Sequence, residues 1–300
     1  MIVRKLRITS NVNQRSEALA SIDNVEDPVM LAHRLINFDS VERRNFPNKL
    51  RMSQMHNVCV RGQLLAYRNN ISSREMVSPG MQVTFDIGNA LHEFFQNSYK
   101  YLGNNRLGWW RCVSCDHVIF GRKPSQKCIK CGASPEALRY LEHTLNLPKD
   151  IPVSGHIDCF LEVSPGDVRV LDFKTINGED FANLQSPKAE HCIQVNGYMH
   201  YIQSDLKMPI RINPERGLLL YISKKHVAKS LPFKIFHVKR EPIYIDFISN
   251  NVKLFKQGLD TPTFLPEPSI TCVETKFTSY HSRSCPVHNL CVKELSKKEV

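Results

Sequence analysis

Two carboxylates and one amine stand at a spacing that can hold a divalent cation. Asp172 and Lys174 are two residues apart in the apolar run Val170-Leu171-Asp172-Phe173-Lys174. Read as a strand, that run sends both side chains to one face. Asp158 lies near the middle of a preceding strand-like run that includes Gly155-His156-Ile157-Asp158, and Ser164-Pro165-Gly166-Asp167 is a turn signal between the two. An antiparallel hairpin then brings Asp158 to the pair. Acidic and basic groups on one face of an apolar hairpin are costly to bury without a purpose. A divalent ion supplies one, because Mg²⁺ and Mn²⁺ prefer oxygen ligands. Lys174 would then orient or help deprotonate a water, or stabilise charge on a phosphate. A lone Asp-x-Lys is ordinarily a surface ion pair at a strand end, so the surrounding residues must decide. His156 is set aside as pointing to the other strand face.

A second chemistry is carried by thiols. Cys112-x₂-Cys115, twelve intervening residues, then Cys128-x₂-Cys131 gives two knuckles of the kind that hold Zn²⁺ tetrahedrally in a closed structural site. Gly121 and Gly132 suit its tight turns. A redox pair, free thiols or a rubredoxin-like iron site share this spacing. Trp109, Trp110, Arg111, Arg122, Lys123, Lys127 and Lys130 surround the unit. Such residues grip single-stranded DNA by stacking and phosphate contact. Equally, the two tryptophans pack the ribbon onto a core.

These groups need elements to position them. Residues 26–70 read as mostly helical, with Asp27-Pro28 opening one helix and a second after Ser53. Residues 84–102 read as a helix, capped by Thr84 or Asp86. Ile87, Leu91, Phe94, Phe95 and Tyr99 mark its period, and Gly88 and His92 share a face. Strands are expected at 151–163, 168–174, 217–224 and 233–240, and helices from Ser186-Pro187 to about 203 and near 242–258. Cys159 and Cys192 read as small core residues.

Composition narrows the class. The 300 residues suffice for one sizeable core with small attached modules, and 40 Lys+Arg against 29 Asp+Glu leave a net charge of +11 that favours polyanionic partners. No uncharged apolar run is long enough for a membrane helix, and the basic N-terminus lacks the apolar stretch of a secretory signal. A cytoplasmic protein without a membrane partner is therefore expected (host cytoplasm if phage-encoded). In that reducing setting the grouped cysteines among the ten point to metal rather than disulfides.

Four pieces in order carry a resemblance: Gly88-Asn89-Ala90-Leu91-His92, Gly155-His156-Ile157-Asp158, Val170-Leu171-Asp172-Phe173-Lys174 and Gln194-Val195-Asn196-Gly197-Tyr198. Together they resemble the RecB-type branch of the PD-(D/E)xK nucleases, which includes the RecB and AddB nuclease domains and CRISPR-adaptation exonucleases. The resemblance covers roughly residues 84–203. It implies that His92, Asp158, Asp172 and the Phe173 carbonyl bind Mg²⁺ or Mn²⁺, that Lys174 acts on water or phosphate, and that Gln194 and Tyr198 face the site or the DNA backbone. Asp172 stands where many relatives have Glu. His92 as a core histidine, and Gln194 and Tyr198 as mere cover for the hairpin, are the plainer alternatives.

The same resemblance implies a [4Fe–4S] cluster. Cys59-Val60-Arg61-Gly62-Gln63-Leu64-Leu65-Ala66-Tyr67 resembles the family's early cysteine segment, and Cys285 and Cys291 have its late spacing. The family's other cysteine is Ser282 here, so Cys272 must stand in, with His288 the weaker substitute. A second zinc and free thiols remain alternatives.

The expected fold is α/β: a restriction-endonuclease-like core with a mixed sheet of four or five strands flanked by helices. Its parts are residues 1–83 (helical, contributing Cys59), 84–258 (nuclease core), 109–133 (inserted zinc ribbon) and 259–300 (closing the iron–sulfur module). The expected function is metal-dependent DNA hydrolysis, exonucleolytic on ends or single strands, in repair, recombination, replication or CRISPR-type processing. The alternative is a non-cleaving nucleic-acid-binding subunit of a larger complex. No Walker A motif occurs, so a helicase partner would be a separate chain.

Overall fold

The computed structural model describes residues 41–45, 48–76, 79–97, 105–124, 126–225, 231–279 and 285–296. Asp27-Pro28, Tyr99 and Ser282 lie outside them. Along the chain, β1 (Val41–Asn45) and β2 (Leu50–Arg51) precede a 3₁₀ segment (Met52–Asn57) and α1 (Val60–Arg68). Then come β3 (Ser72–Met76) and α2 (Pro79–Asn97). The middle of the chain holds β4 (Arg106–Cys112), β5 (Val118–Arg122), β6 (Leu138–Leu141), β7 (His143–Thr144), β8 (Val153–Ser154), β9 (His156–Ile157), β10 (Cys159–Ser164) and β11 (Asp167–Ile176). After α3 (Gly178–Asn183) and α4 (Ala189–Tyr201) come β12 (Arg216–Ser223), β13 (Phe233–Lys239), α5 (Pro242–Asp260), α6 (Ile270–Glu274) and α7 (His288–Ser296).

Among the described residues the sheet has seven strands, not four or five. Its order is β13-β12-β11-β10-β4-β5, with β6 beside β4. Only the β11–β12 pairing is parallel, so the sheet is mixed. The additional strands come from the Cys-rich unit, which is sewn into the sheet: β4 meets β10 through Leu107↔Phe160 and Arg106↔Leu161, then meets β6. Residues 26–70 also depart from the helical reading, because β1 and β2 lie within them. β2 pairs with β8, Arg51 opposite Ser154.

Alternation along β11 explains the layers. Val168 and Val170 join Leu219 and Tyr221 of β12 in a core closed by Val195 and Tyr198 of α4. Leu171 and Phe173 join Leu218, Leu220 and Phe95 of α2 in a second core on the opposite face. A strand covered on both sides needs apolar residues at successive positions, as VLDF shows with its one intruding carboxylate. α5 docks through Ile245, Ile248, Val252 and Phe255, a helical repeat that the sequence displays directly.

α2 starts at Pro79, so Thr84 and Asp86 are not its caps; Thr84 Oγ1 donates instead to the Gly80 carbonyl at 2.8 Å. Leu91 and Phe95 meet the sheet, whereas Ile87 and Phe94 stay exposed. Gly88 lets the helix approach β11, since a Cβ there would sit 3.1 Å from Thr175 Oγ1. Among the described residues, no helix is long and apolar enough to cross a membrane.

Candidate functional site

One cleft of about 410 Å³ collects His92, Asp158, Asp172, Lys174, Gln194 and Tyr198, together with Arg51, Ser53, Ser154, Gly155 and His156. Asp158 is not mid-strand. It occupies the break between β9 and β10, which frees its carboxylate to turn across the hairpin and accept the Phe173 N–H at 2.7 Å. Gly155 allows this strand to lie close to α4: a Cβ would come within 2.8 Å of the Tyr198 ring.

Asp172 is 1% exposed, and Lys174 Nζ stands 2.7 Å from its Oδ2. Lys174 Nζ also donates to Gln194 Oε1 at 2.9 Å. Gln194 Nε2 in turn donates to Asp172 Oδ1 (3.1 Å) and to the Tyr198 hydroxyl (2.9 Å). The i, i+4 spacing of Gln194 and Tyr198 thus becomes a working pair on the buried face of α4. Asp172 Oδ2 has the Lys174 ammonium as its partner. A buried carboxylate oxygen keeps a further lone pair that suits an inner-sphere cation.

Electrostatics divide the roles. Burial pushes the Asp172 carboxyl up to about 6, with Lys174 opposing and Asp158 reinforcing the shift. Burial disfavours the charge on Lys174, but Asp172 and Asp158 outweigh it and hold the ammonium above its ordinary range. Lys174 is therefore a fixed cation and donor at neutral pH, not a free base. Burial likewise opposes charge on His92, yet Asp158 and Asp172 carry its pKa above the usual value. His92 meets the Phe173 ring edge-on, 5.7 Å between centroids, and its Nδ1 is 3.7 Å from Asp158 Oδ2.

Four residues escape the sequence reading. Arg51 and Ser53 arrive through the non-local β2–β8 pairing, which no local spacing announces. His156 lines the same cleft; the break at Asp158 interrupts simple alternation there, since Ile157 and Cys159 enter opposite cores. Glu142, between β6 and β7, brings a carboxylate within 4.8 Å of His92 and Asp158 ligand atoms.

The ribbon thiols converge. Cys112 and Cys131 sulfurs are 3.6 Å apart, Cys115 and Cys128 sulfurs 3.7 Å, and all four lie within 4.8 Å of one another. A tetrahedron with Zn–S of about 2.3 Å has edges of about 3.8 Å, so the set fits that ion. Backbone N–H groups of Cys131 and Lys130 hold the Cys128 thiol down to about 7. Gly132 takes a left-handed φ of 72°, as its knuckle requires, while Gly121 lies inside β5 rather than in a turn.

Trp110 is fully buried between Tyr140 and Arg106, donating to the Gly121 carbonyl, so it packs the ribbon and does not stack on a base. Trp109 is half-buried, on Phe120 and hydrogen-bonded to His143. Arg122 pairs with Glu162, Lys123 sits over the Trp110 ring, and Arg111 remains half-exposed.

Cys59, Cys272, Cys285 and Cys291 are near enough to feel one another's charge: burial first, then the neighbouring sulfurs, push up the Cys59 and Cys285 thiols. They do not form the tight quartet seen at the ribbon. Beside them Arg61, 1% exposed, donates Nε to Cys291 Sγ at 3.2 Å and a terminal nitrogen to the Pro266 carbonyl, while its other terminal nitrogen has no partner. Cys159 is fully buried, and Cys192 packs at the core's margin.

No family model and no curated protein matches this chain. Among solved structures it is similar to an alkaline exonuclease, LHK-Exo, from Laribacter hongkongensis, at 9% identity over 76% of this chain and 93% of that one, TM-score 0.40. The same exonuclease in complex with dAMP aligns at 10% identity over 72% and 89%, TM-score 0.39. The structure of SSO0001 aligns at 12% identity over 92% of each chain, TM-score 0.36. Likenesses this distant carry no weight for chemistry, and the functional reading rests on the cleft.

Proposed function

We propose that this chain is a divalent-metal-dependent deoxyribonuclease of the PD-(D/E)xK type, in its RecB-like branch, with a restriction-endonuclease-like core. It hydrolyses phosphodiester bonds at DNA ends or in single strands. One observation carries the reading: in an open cleft, a buried Asp172 is paired with the Lys174 ammonium and flanked by Asp158, whose carboxylate is fixed on the Phe173 N–H. A purely binding surface has no need of a buried acid held at this cost.

His92, Asp158, Asp172 and the Phe173 carbonyl are the groups that would hold Mg²⁺ or Mn²⁺. When bound, such an ion polarises a phosphoryl oxygen and acidifies water. The chain's own work is positional. Gln194 and Asp172 keep the Lys174 ammonium aimed into the cleft, where it meets the charge that develops on phosphate. Tyr198 holds Gln194 from below and excludes water from that side. Arg51 at the rim is placed for a second phosphate.

The four ribbon thiols suit Zn²⁺. The second cysteine group suits a [4Fe–4S] cluster, since a buried guanidinium with no carboxylate partner among the described residues calls for thiolates as its counter-charge. A helicase, or a recombination or CRISPR protein, would be a separate partner chain.

Digestion of end-labelled single- and double-stranded DNA with Mn²⁺ tests the reading. Wild type should degrade at least one substrate, and Asp172→Ala and Lys174→Ala should lose activity by about 10²-fold or more. Salt-sensitive binding without cleavage by wild type, unchanged in both variants, would establish the binding-subunit alternative instead.

A further inference from the structure

The Cys-rich unit has a concavity of its own, which shares no lining residue with the cleft. It encloses about 230 Å³. That is below the roughly 300–1,000 Å³ of pockets for drug-sized ligands, and it suits a single ring system. Its floor is the unit's small core. Ile119 of β5 and Leu138 of β6 lie on the two flanks of β4, opposite Trp110 and Cys112, and Cys128 joins them. Pro124 and Ile129 complete the apolar walls.

Two features call for a ligand. His117 lines the concavity, and its Nε2 is buried with no hydrogen-bond partner among the described residues. A buried ring nitrogen in that state is costly until something arrives to meet it. Ile129, between the thiols of the second knuckle, stands 81% exposed at one lip. A single exposed apolar side chain is ordinary on a surface. Here it borders an apolar floor and the unpaired nitrogen, so one flat ring entering the concavity would cover all three.

Charge selects the ligand. Among the described lining residues Lys127 is the one cation, and none is acidic. From 106 to 141 the unit carries seven Lys and Arg against two acids, Asp116 and Glu136. An aliphatic protein segment would fill the floor but leave the His117 nitrogen, the Gln126 amide and Lys127 without purpose. A nucleobase offers a flat face to branched apolar side chains, edge donors and acceptors to His117 and Gln126, and a neighbouring phosphate to Lys127. In a duplex that face is already stacked, so the base must be unpaired.

We propose that the Cys-rich unit holds one unpaired nucleobase of single-stranded DNA in this concavity, between Ile119, Leu138 and Ile129, with His117 Nε2 at the base edge and Lys127 on the adjoining phosphate. This rests on the nuclease reading for its choice of DNA and deepens it, because the strand is gripped away from the residues of the cleft. Trp110, in the same small core, supports the floor and does not touch the base.

Strand binding by the full chain tests the inference. It is read by fluorescence anisotropy without added divalent ions, and without chelator so that zinc is retained. The probes are a fluorescein-labelled, unstructured mixed-sequence oligodeoxynucleotide and an abasic strand of equal length. Ile129→Ser removes an exposed lip without altering charge. It should weaken the base-containing strand about tenfold and leave the abasic strand unchanged. Lys127→Gln should weaken both strands and reduce the salt slope by about 0.7. Circular dichroism and zinc content confirm that both variants fold. An Ile129→Ser loss that is equal on the two strands, or absent, overturns the base pocket, and absence leaves the concavity to a protein segment. An unchanged salt slope in Lys127→Gln overturns the phosphate contact. Cleavage of the same oligodeoxynucleotide with Mn²⁺, run in parallel, separates the two readings. If wild type cuts it and Ile129→Ser binds like wild type, the pocket fails alone. If the base-selective loss appears and wild type cuts nothing, the nuclease reading fails alone. Neither binding nor cleavage by wild type removes both.

Discussion

The Asp172–Lys174 pair should reveal itself as coupled in stability, independently of any activity. Lys174→Met leaves the Asp172 side chain, 2% exposed, with one donor from Gln194 and no counter-charge. Breaking a buried pair from one side costs about 3–5 kcal/mol. Asp172→Asn should cost less, because the Lys174 side chain is 19% exposed and its ammonium can turn into the cleft. The double variant Asp172→Asn/Lys174→Met removes both charges and should return to within about 1 kcal/mol of wild type. Urea unfolding at pH 7.5, without added divalent ions or chelator, measures all three. The pH dependence has a definite sign. Burial lifts the folded Asp172 to about 6, above about 3.9 in the unfolded chain. The folded state thus binds the extra proton, and stability falls as pH rises from about 4 to 6, by roughly 3 kcal/mol. Asp172→Asn should abolish that slope. Single-variant losses that simply add in the double variant, with an unchanged slope, would refute a buried, coupled pair.

Other perturbations address different parts of the molecule. Burial, reinforced by Lys174, holds His191 down to about 4, and its Nδ1 lies 2.6 Å from the Tyr221 hydroxyl. Its contribution is complete above the unfolded value of about 6.5 and is lost as pH falls toward 4, so His191→Gln should flatten the acid side of the melting-temperature profile; an identical profile counts against burial of the neutral ring. Cys128→Ser should reduce bound zinc by about one ion per chain and lower the thermal midpoint, read by elemental analysis and calorimetry; full zinc retention would remove Cys128 from the ligand set. Gly197→Ala would normally favour a helix, but its Cβ would meet Met52 Sδ at 2.1 Å in a buried contact. Overpacking of about 1–3 kcal/mol should win over a helix gain of about 1 kcal/mol, and a stabilised variant in urea unfolding would show that Met52 yields.

What could be read in advance follows from how local the cause is. β11, β12, β13 and α5 are each dictated by a continuous or regularly spaced apolar run, so their spans emerge within a few residues. The thiol quartet is likewise local, because each knuckle encodes its own turn. The strand count is not: β4 becomes a sheet member only by meeting Phe160 and Leu161, about fifty residues later. Arg51 reaches the cleft through a two-residue bridge to Ser154, and Glu142 sits between strands in no motif at all. Trp110 shows a further limit, since aromatic residues beside basic ones look alike whether they cover a core or await a base. His156 escapes for another reason: the break at Asp158 interrupts the alternation on which its face would be judged.

The join between β4 and β10 has a consequence for anyone reshaping this protein. The Cys-rich unit hems the sheet: with β4 in place, the flank of β10 is occupied at Phe160 and Leu161. Excising the unit at strand level would turn that flank into an open border of unpaired amides and carbonyls, a template for strands of other molecules. Trimming should therefore stop inside the loop between β5 and β6, or it will trade a smaller protein for one prone to self-association.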